Sequence, residues 1–183
     1  MSTLTKHRFT VDDVYLMVNH GILPADRRIE LIDGELIDMS PINLPHANSV
    51  TKLGRFFSKH LPQEEYIIRV QNPVLLSDYS LPEPDLVIAY YRNALLENEH
   101  TRPSDIAILI EVADTTYRTD RDIKAPLYAT EGVAVYWIVN LNKRQVEVYT
   151  DPNEGKYTQV QIHQNAFDVL GATITPSDIF PKQ

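Results

Sequence analysis

Three stretches in the middle of the chain decide the fold. The first is Leu81-Pro82-Glu83-Pro84-Asp85, which runs into the apolar segment Leu86-Val87-Ile88-Ala89-Tyr90. The second is Ile106-Ala107-Ile108-Leu109-Ile110 with Glu111-Val112 at its end, and the third is Asp120-Arg121-Asp122-Ile123-Lys124. Both apolar runs have the length of buried strands, and the third stretch fits a helix. An acid therefore precedes one buried strand, a second acid ends another, and a lysine comes after both.

Two acids and a lysine in this order are suited to a hydrated divalent-metal site. The oxygens of Asp85 and Glu111 are hard ligands, which favour Mg²⁺ or Mn²⁺ with several retained waters. Such an ion lowers the pKa of a bound water, and Lys124 would orient that water or neutralise a phosphate. The pattern predicts metal-assisted hydrolysis of a phosphodiester.

Each of these residues also has a purely structural interpretation. Asp85 follows a proline and can be a turn residue, and Lys124 can be an exposed helix lysine. A glutamate after Ile-Leu-Ile is costly to bury without a partner or ligand, but the strand can also end at Glu111 and release the side chain to water. Asp120, Lys124 and Tyr128 are spaced so that a regular helix would place all three on one face.

The flanking sequence supplies further helix and strand patterns. Helices are predicted from Thr10, over 44–61, and over 119–131, where Pro126 disturbs the pattern; an Asp33-Gly34 turn predicts a hairpin; and strands are predicted over 65–76 (interrupted at Pro73), 133–139, 145–149 and 157–162, with a polar surface loop at 97–105. This order predicts a mixed β-sheet flanked by helices, in the α/β or α+β class.

His46 lies on the apolar face of the helix predicted over 44–61. It is either a core histidine with a satisfied hydrogen bond or a residue that faces the site. Lys52, Arg55 and Lys59 lie on the opposite face of that helix, and a solvated surface explains them better than contact with phosphates.

Composition limits the class of protein. The 183 residues suit a single domain over 1–183, and their 17 basic and 25 acidic residues give a net charge of −8. This charge argues against a large nonspecific nucleic-acid surface, although not against a local basic groove. The chain has no cysteine, which excludes a disulfide framework, a thiolate zinc site and a cysteine nucleophile. No apolar stretch is long enough to span a membrane and no signal-peptide core is present, so a cytoplasmic location is expected.

A set of motifs occurs along the chain in one order. They are Glu30-Leu31-Ile32-Asp33-Gly34-Glu35, Pro45-His46, Gln71-Asn72-Pro73, Pro82-Glu83-Pro84-Asp85, Ile110-Glu111-Val112-Ala113-Asp114, Asp120-Arg121-Asp122-Ile123-Lys124, Tyr128, Gly132-Val133 and Tyr136-Trp137-Ile138-Val139-Asn140. With them, much of the chain resembles the Uma-type proteins, a bacterial branch of the PD-(D/E)XK nuclease superfamily regarded as restriction endonucleases.

The resemblance implies a restriction-endonuclease-like fold and a set of site residues. Asp85 and Glu111 would bind Mg²⁺ or Mn²⁺, with the Val112 carbonyl and Glu30 as further ligands. In the general superfamily pattern a lysine lies two residues after the glutamate, where this chain has Ala113. The resemblance therefore points to Lys124 as the catalytic lysine, with His46, Gln71, Asp120 and Tyr128 in support of the pocket.

Three functions are compatible with this pattern. The first is a Mg²⁺-dependent endonuclease acting on nucleic acid, with DNA as the expected substrate, in a homodimer as in many superfamily members. The second is a catalytically silent module that keeps the nuclease fold and binds nucleic acid or protein. The third is a metal-dependent hydrolase of a small phosphorylated molecule. A basic groove built from Arg27, Arg28, Arg118 or Arg121 would favour the nuclease, and a narrow closed pocket would favour the small-molecule enzyme.

Overall fold

The computed structural model describes residues 6–24 and 26–182. Helical segments are α1 (Val11–Asn19), α2 (Leu44–His60), α3 (Ala94–Glu97), α4 (Tyr117–Thr119), a π-helix (Asp120–Lys124), α5 (Ala125–Thr130) and α6 (Pro176–Ile179), with a 3₁₀ turn at Pro103–Asp105. Strands are β1 (Ile29–Ile32), β2 (Glu35–Asp38), β3 (Tyr66–Val70), β4 (Leu86–Tyr90), β5 (Ile106–Ala113), β6 (Val135–Asn140), β7 (Gln145–Asn153), β8 (Lys156–His163), β9 (Phe167–Val169) and β10 (Ala172–Ile174).

The central sheet contains six strands in the order β3-β4-β5-β6-β7-β8. Neighbouring strands are antiparallel except β5 and β6, which run parallel. A parallel pair needs a crossover connection, and here the chain crosses through α4, the π-helix and α5. The predicted mixed sheet with flanking helices, in the α/β or α+β class, is confirmed.

The two faces of the sheet carry separate apolar clusters. On one face, α2 packs Leu53 and Phe57 against Ile108 and Ile110 of β5. On the other face, Tyr128 of α5 packs with Leu109 of β5 and other apolar residues of the sheet. Every residue of β5 is buried. This strand is therefore covered on both faces, as its continuous apolar run predicts.

Local signals in the sequence determine several element ends. Thr10 caps α1 in a capping box with Asp13. Asp33 and Gly34 both have positive φ, at 50° and 80°, as a two-residue hairpin turn between β1 and β2 requires. A bridge between Leu31 and Leu81 joins this hairpin to the segment that leads into β4.

The structure corrects four expectations. The strand predicted over 65–76 ends at Val70, because the chain turns at Gln71, whose φ is 50°. The strand predicted to end at Glu111 continues to Ala113, so Glu111 lies inside it. The polar stretch 97–105 is not simply a surface loop, since Thr101 and Asp105 are buried.

The fourth correction concerns the helix predicted over 119–131. This segment begins earlier, at Tyr117, and passes through the π-helix before α5. The amide of Ala125 donates to the Asp120 carbonyl, five residues back, and Pro126 then occupies the first turn of α5, where a missing N–H costs little. Among the described residues, none of the helices has both the length and the apolar character needed to cross a membrane.

Candidate active site

A cleft of about 160 Å³ opens where the ends of β4 and β5 meet the β1–β2 hairpin, the start of α2 and the π-helix. It collects most of the predicted site residues although they are far apart in sequence. Its lining includes Arg28, Glu30, Asp38, His46, Glu83, Asp85, Glu111, Val112, Thr116, Asp120 and Lys124. Gln71 and Tyr128 are absent from that lining, and each reaches the cleft through a hydrogen bond to a lining carboxylate.

Asp85 is placed beside Glu111 by the register of the sheet. Leu86 of β4 is opposite Ile110 of the antiparallel β5. Asp85, just before Leu86, therefore adjoins Glu111, just after Ile110. Asp85 Oδ2 accepts the Val112 amide at 2.8 Å and a hydrogen bond from His46 Nε2 at 2.9 Å. These two donors hold the carboxylate at the cleft.

Two further side chains complete the surroundings of Asp85. Gln71 Nε2 lies 3.4 Å from Asp85 Oδ1, a weak contact from the turn after β3. His46 stands in the first turn of α2, and its amide is capped by the Asn43 side chain at 3.0 Å. A carboxylate accepts hydrogen bonds, so the contact with Asp85 is made by the tautomer of His46 that has its proton on Nε2. His46 is therefore a site histidine, which decides between the two interpretations of its place on the helix.

Glu111 is buried, with 4 % of its surface exposed, on the sheet face it shares with Leu109 and Ala113. Its Oε1 accepts hydrogen bonds from Lys124 Nζ and from the Tyr128 hydroxyl, both at 2.9 Å. Within the described part of the chain no hydrogen bond reaches Glu111 Oε2. The interpretation of Glu111 as a strand end that releases its side chain to water is therefore wrong.

Lys124 connects two acids, Glu30 and Glu111, that are 81 residues apart in sequence. Its Nζ lies 2.9 Å from Glu30 Oε1 and 2.9 Å from Glu111 Oε1, and its surface is 6 % exposed. Glu30 Oε1 also accepts the amide of Glu83 at 2.8 Å. The interpretation of Lys124 as an exposed helix lysine is therefore wrong, and Glu30, which is also buried, does not face water.

Asp120 lies at the start of the π-helix and is buried. Its carboxylate accepts the Thr116 hydroxyl at 2.7 Å, and its carbonyl accepts the Tyr136 hydroxyl at 3.2 Å. Asp120, Lys124 and Tyr128 are all buried on the sheet side, as their spacing predicts, although the helix between them is not regular.

Burial and like charges perturb the protonation of the cluster. Desolvation, with Asp120, Asp85 and Glu30 adding to it, raises the pKa of Glu111 well above its ordinary value, although Lys124 opposes the shift. Desolvation also raises the pKa of Asp120 to about 6. Burial alone would lower the pKa of Lys124, but Glu111, Glu30 and Asp120 outweigh it and raise that pKa.

Acidic side chains outnumber basic ones in the cluster. Glu30, Asp85, Glu111 and Asp120 are all buried at the cleft, and Lys124 is the one buried lysine among the described residues that line it. A divalent cation would supply the missing positive charge. No group of three or more His, Cys, Asp or Glu side chains among the described residues has the geometry of a metal site. Mg²⁺ needs only one or two carboxylates besides its waters, so Asp85 and Glu111 with the Val112 carbonyl fit this ion.

The arginines form no continuous basic groove along the cleft. Arg28 lines it. Arg27 pairs with Asp38 and Arg121 with Asp122, at 2.8 Å and 2.7 Å, while Arg118 is exposed. The cleft therefore has few cations but is open to solvent, so it is neither the basic groove expected for broad contact with a duplex nor the closed pocket expected for a small-molecule enzyme.

Sequence reasoning did not assign three residues that belong to the site. Thr116 lies four residues before Asp120, a spacing that suggests a helical contact, yet no pattern indicated that it would donate to a buried Asp120 at the cleft. Glu83 contributes its backbone amide to Glu30, which no side-chain motif can indicate. Asp38 lines the cleft from the end of β2, and only the hairpin register brings it there.

Comparisons with known proteins agree with this fold. The crystal structure of a "putative nuclease belonging to DUF820" from Anabaena variabilis superposes with a TM-score of 0.65 at 16 % identity, over 94 % of this chain and 97 % of that one. At this identity the similarity establishes the fold alone. No curated protein matches the sequence. The profile of the Uma2 family, described as "Putative restriction endonuclease", matches residues 14–183. Since this match covers almost the whole chain, the protein belongs to the Uma2 family.

Proposed function

We propose that the chain is a metal-dependent endonuclease that hydrolyses phosphodiester bonds in nucleic acid, with DNA as the expected substrate. The description of the family and the nuclease-like fold support the general class. The observation that carries the proposal is the meeting of Asp85, Glu111 and Lys124 in one cleft from three different segments. An acid pair beside a buried lysine, in a cleft open to solvent, suits phosphodiester hydrolysis.

Asp85 and Glu111 would hold Mg²⁺ or Mn²⁺ together with the Val112 carbonyl, with Glu30 as an additional acid of the cleft. The ion, when bound, supplies Lewis-acid stabilisation of the phosphate and a more acidic water. The residues of the chain orient this chemistry. His46 and the Val112 amide fix Asp85, and Tyr128 fixes Glu111.

Lys124 acts in this proposal as a cation and hydrogen-bond donor. The surrounding acids raise its pKa, so the ammonium group keeps its proton at neutral pH. It therefore cannot accept a proton from water. It can donate to an attacking water or to a phosphate oxygen, and its position beside Glu111 compensates for Ala113, which is fully buried where the superfamily pattern has its lysine.

A binding module without catalysis is the second candidate. It is favoured by the hydrogen bonds that Lys124 already makes to Glu30 and Glu111, because these pairs would have to loosen for the lysine to reach a substrate. A homodimer and a single domain over 1–183 remain predictions, which sedimentation and limited proteolysis would test.

The deciding experiment uses supercoiled plasmid and circular single-stranded DNA with Mg²⁺ or Mn²⁺. We expect the wild type to cleave at least one of them, and Asp85→Asn and Lys124→Met to lose that cleavage. Glu64→Gln, a change at an exposed acid outside the cleft, is the matched control and should cleave as wild type does. Circular dichroism checks that each variant folds. Absence of cleavage by the wild type with both ions and both DNAs would contradict the nuclease proposal and leave the binding module.

A further inference from the structure

A second depression lies against the cleft and shares Ile37 and Thr119 with it. This side basin, as we call it, has a volume of about 480 Å³ and is lined by Lys6, His7, Arg8, Ile32, Asp33, Glu35, Ile37, Thr119 and Ile123. Because two residues belong to both walls, a group seated in the basin is adjacent to a group seated in the cleft.

Isoleucines supply the apolar part of the side basin. Ile32 is buried, while Ile37 on β2 and Ile123 in the π-helix are 36 % and 53 % exposed. Ile37 and Ile123 come from segments on the two sides of the cleft, the hairpin and the helical crossover. Because they are exposed beside a cleft of charged residues, these side chains are available to contact an apolar part of a ligand.

The charged residues of the side basin are already paired with one another. Lys6 Nζ lies 3.0 Å from Glu35 Oε1, and Arg8 forms an ion pair with Asp33. The Arg8 guanidinium also lies over the Tyr79 ring. The neighbouring carboxylates offset the charge of these cations, so the basin attracts a second phosphate less than unpaired lysines and arginines would. An uncharged, flat group is better suited to it.

We propose that the side basin receives the base of the nucleotide next to the scissile phosphate, and that the substrate strand is unpaired at that nucleotide. This inference rests on the proposed function, because it takes the cleft as the seat of the phosphate. A base in a duplex is stacked and paired, so it can enter a side basin only when the nucleotide is extruded or the strand is single.

The distribution of cations supports an unpaired strand. Duplex affinity depends chiefly on lysine and arginine contacts to phosphates. Among the described residues that line the cleft and the side basin, Lys6, Arg8 and Lys124 are all paired with carboxylates, which leaves Arg28. In a single strand the exposed bases add contacts with the protein that a paired duplex does not offer.

The test compares binding with and without bases. A fluorescent oligothymidylate and an abasic oligonucleotide of equal length are titrated by anisotropy, with Ca²⁺ in place of Mg²⁺. We expect the wild type to bind the oligothymidylate about tenfold more tightly than the abasic strand. The double variant Ile37→Ser/Ile123→Ser should lose this preference, and Ile22→Ser, at an isoleucine 69 % exposed outside both sites, should keep it. Neither serine change adds charge near the carboxylates.

A second measurement locates the ligand directly. In protein labelled at isoleucine methyl groups, the resonances of Ile32, Ile37 and Ile123 should shift with the oligothymidylate and not with inorganic phosphate. Shifts with phosphate alone would overturn the inference, since the basin would then be a phosphate site. Equal affinity of the wild type for the two strands would overturn it too, as would binding of a duplex as tight as that of the single strand.

The binding test separates this inference from the nuclease proposal. Base-dependent binding that requires Ile37 and Ile123 supports the basin even if the wild type cleaves nothing. Cleavage of DNA without any base preference overturns the basin and leaves the nuclease proposal standing. Absence of both binding and cleavage overturns both.

Discussion

Glu111 and Glu147 occupy the same row of the central sheet and have opposite surroundings. Glu111 is opposite Ile138, which in turn is opposite Glu147, and both glutamates are 4 % exposed. Glu147 accepts neutral donors: Gln145 Nε2 at 2.8 Å, and the hydroxyls of Tyr149 at 2.8 Å and Tyr117 at 3.1 Å. Both of its oxygens are satisfied, as a buried structural carboxylate requires.

Glu111 has a cation and one tyrosine on a single oxygen, and it shares its surroundings with three other acids. Desolvation raises its pKa, and those acids add to the shift. Two equally buried glutamates thus have different surroundings. Neutral donors satisfy Glu147, whereas Glu111 shares one lysine with several other acids. Burial alone does not distinguish Glu111, the proposed metal ligand, from Glu147, whereas the charge and completeness of their hydrogen bonds do.

The largest expected effect comes from removing the one lysine in the Glu111 cluster. Lys124→Met leaves Glu30 and Glu111 buried without their cation, which should lower the free energy of unfolding by about 3 to 5 kcal/mol. Urea denaturation in the presence of a chelator measures the change. A loss below about 1 kcal/mol would mean that water already screens these acids. Lys143→Met, outside the cleft, is the control.

The Asp120 carboxylate should make stability depend on pH. Its pKa rises from 3.8 to about 6 on folding, so the folded state holds a proton that the unfolded state releases, and stability falls as pH rises between these values. At about 1.4 kcal/mol per unit, the full cost above pH 6 is about 3 kcal/mol. Asp120→Asn keeps an acceptor for Thr116 and should therefore stabilise the metal-free protein by up to about this amount at pH 8.

The measurement for Asp120→Asn is denaturant unfolding at pH 4, 6 and 8 in metal-free buffer. The gain over wild type should be small at pH 4 and reach its maximum by pH 8. A gain that is constant across this range would contradict the assignment, because a packing effect does not titrate.

Substitutions of the two glutamates should differ in their effect on metal affinity. Glu111→Gln should weaken Mn²⁺ binding by at least about tenfold, because it removes a ligand. Changes to residues that only support the ligands already weaken metal binding by about 10- to 100-fold. Glu147→Gln should leave the affinity unchanged, although it costs some stability. Isothermal calorimetry on both variants checks this. Equal losses would mean that Glu111 acts through the fold and not as a ligand.

The smallest expected effect concerns the tyrosines. Tyr149→Phe removes one neutral donor from Glu147 and should lower the free energy of unfolding by about 1 kcal/mol, without a change in Mn²⁺ affinity. Tyr128→Phe removes the only neutral donor that the described residues offer to Glu111, and it should reduce both quantities. Thermal melts and calorimetry measure the pair, and a Tyr128→Phe variant with unaltered metal affinity would argue against a positioning role for that hydroxyl.

The sequence predicts those features that local physics controls. The Asp33-Gly34 turn, the capped start of α1, the span of α2 and the apolar strands around Asp85 and Glu111 all arise from short-range patterns. The family resemblance adds the order of the site residues along the chain. Together they predict the mixed sheet and identify the stretches that approach one another.

Contacts between distant residues could not be predicted in the same way. Whether Glu30 faces water or Lys124 depends on how the hairpin docks on the segment before β4, a tertiary choice. The hydrogen bond from Tyr117 to Glu147 links residues 30 apart and has no local signal. The C-terminal β9, β10 and α6 are short and give little periodic signal. Their apolar residues, such as Ile174 and Ile179, pack into the same core cluster as α2, which only the folded structure shows.

Because of the π-helix, the direction of the Lys124 side chain depends on the number of residues in this helical segment. Each residue added to or removed from a helix rotates the rest of that helix by about 100°. The hydrogen bond from Ala125 to Asp120 spans five residues, one more than in an α-helix. The extra residue lies between two fixed points: the Asp120 carbonyl, which accepts from Tyr136, and Tyr128, which donates to Glu111. Deleting a single surface residue such as Asp122 would restore an ordinary turn and swing the ammonium group away from its acids, while every side chain of the cleft remained present. Here the count of residues, and not only their kind, is part of the site.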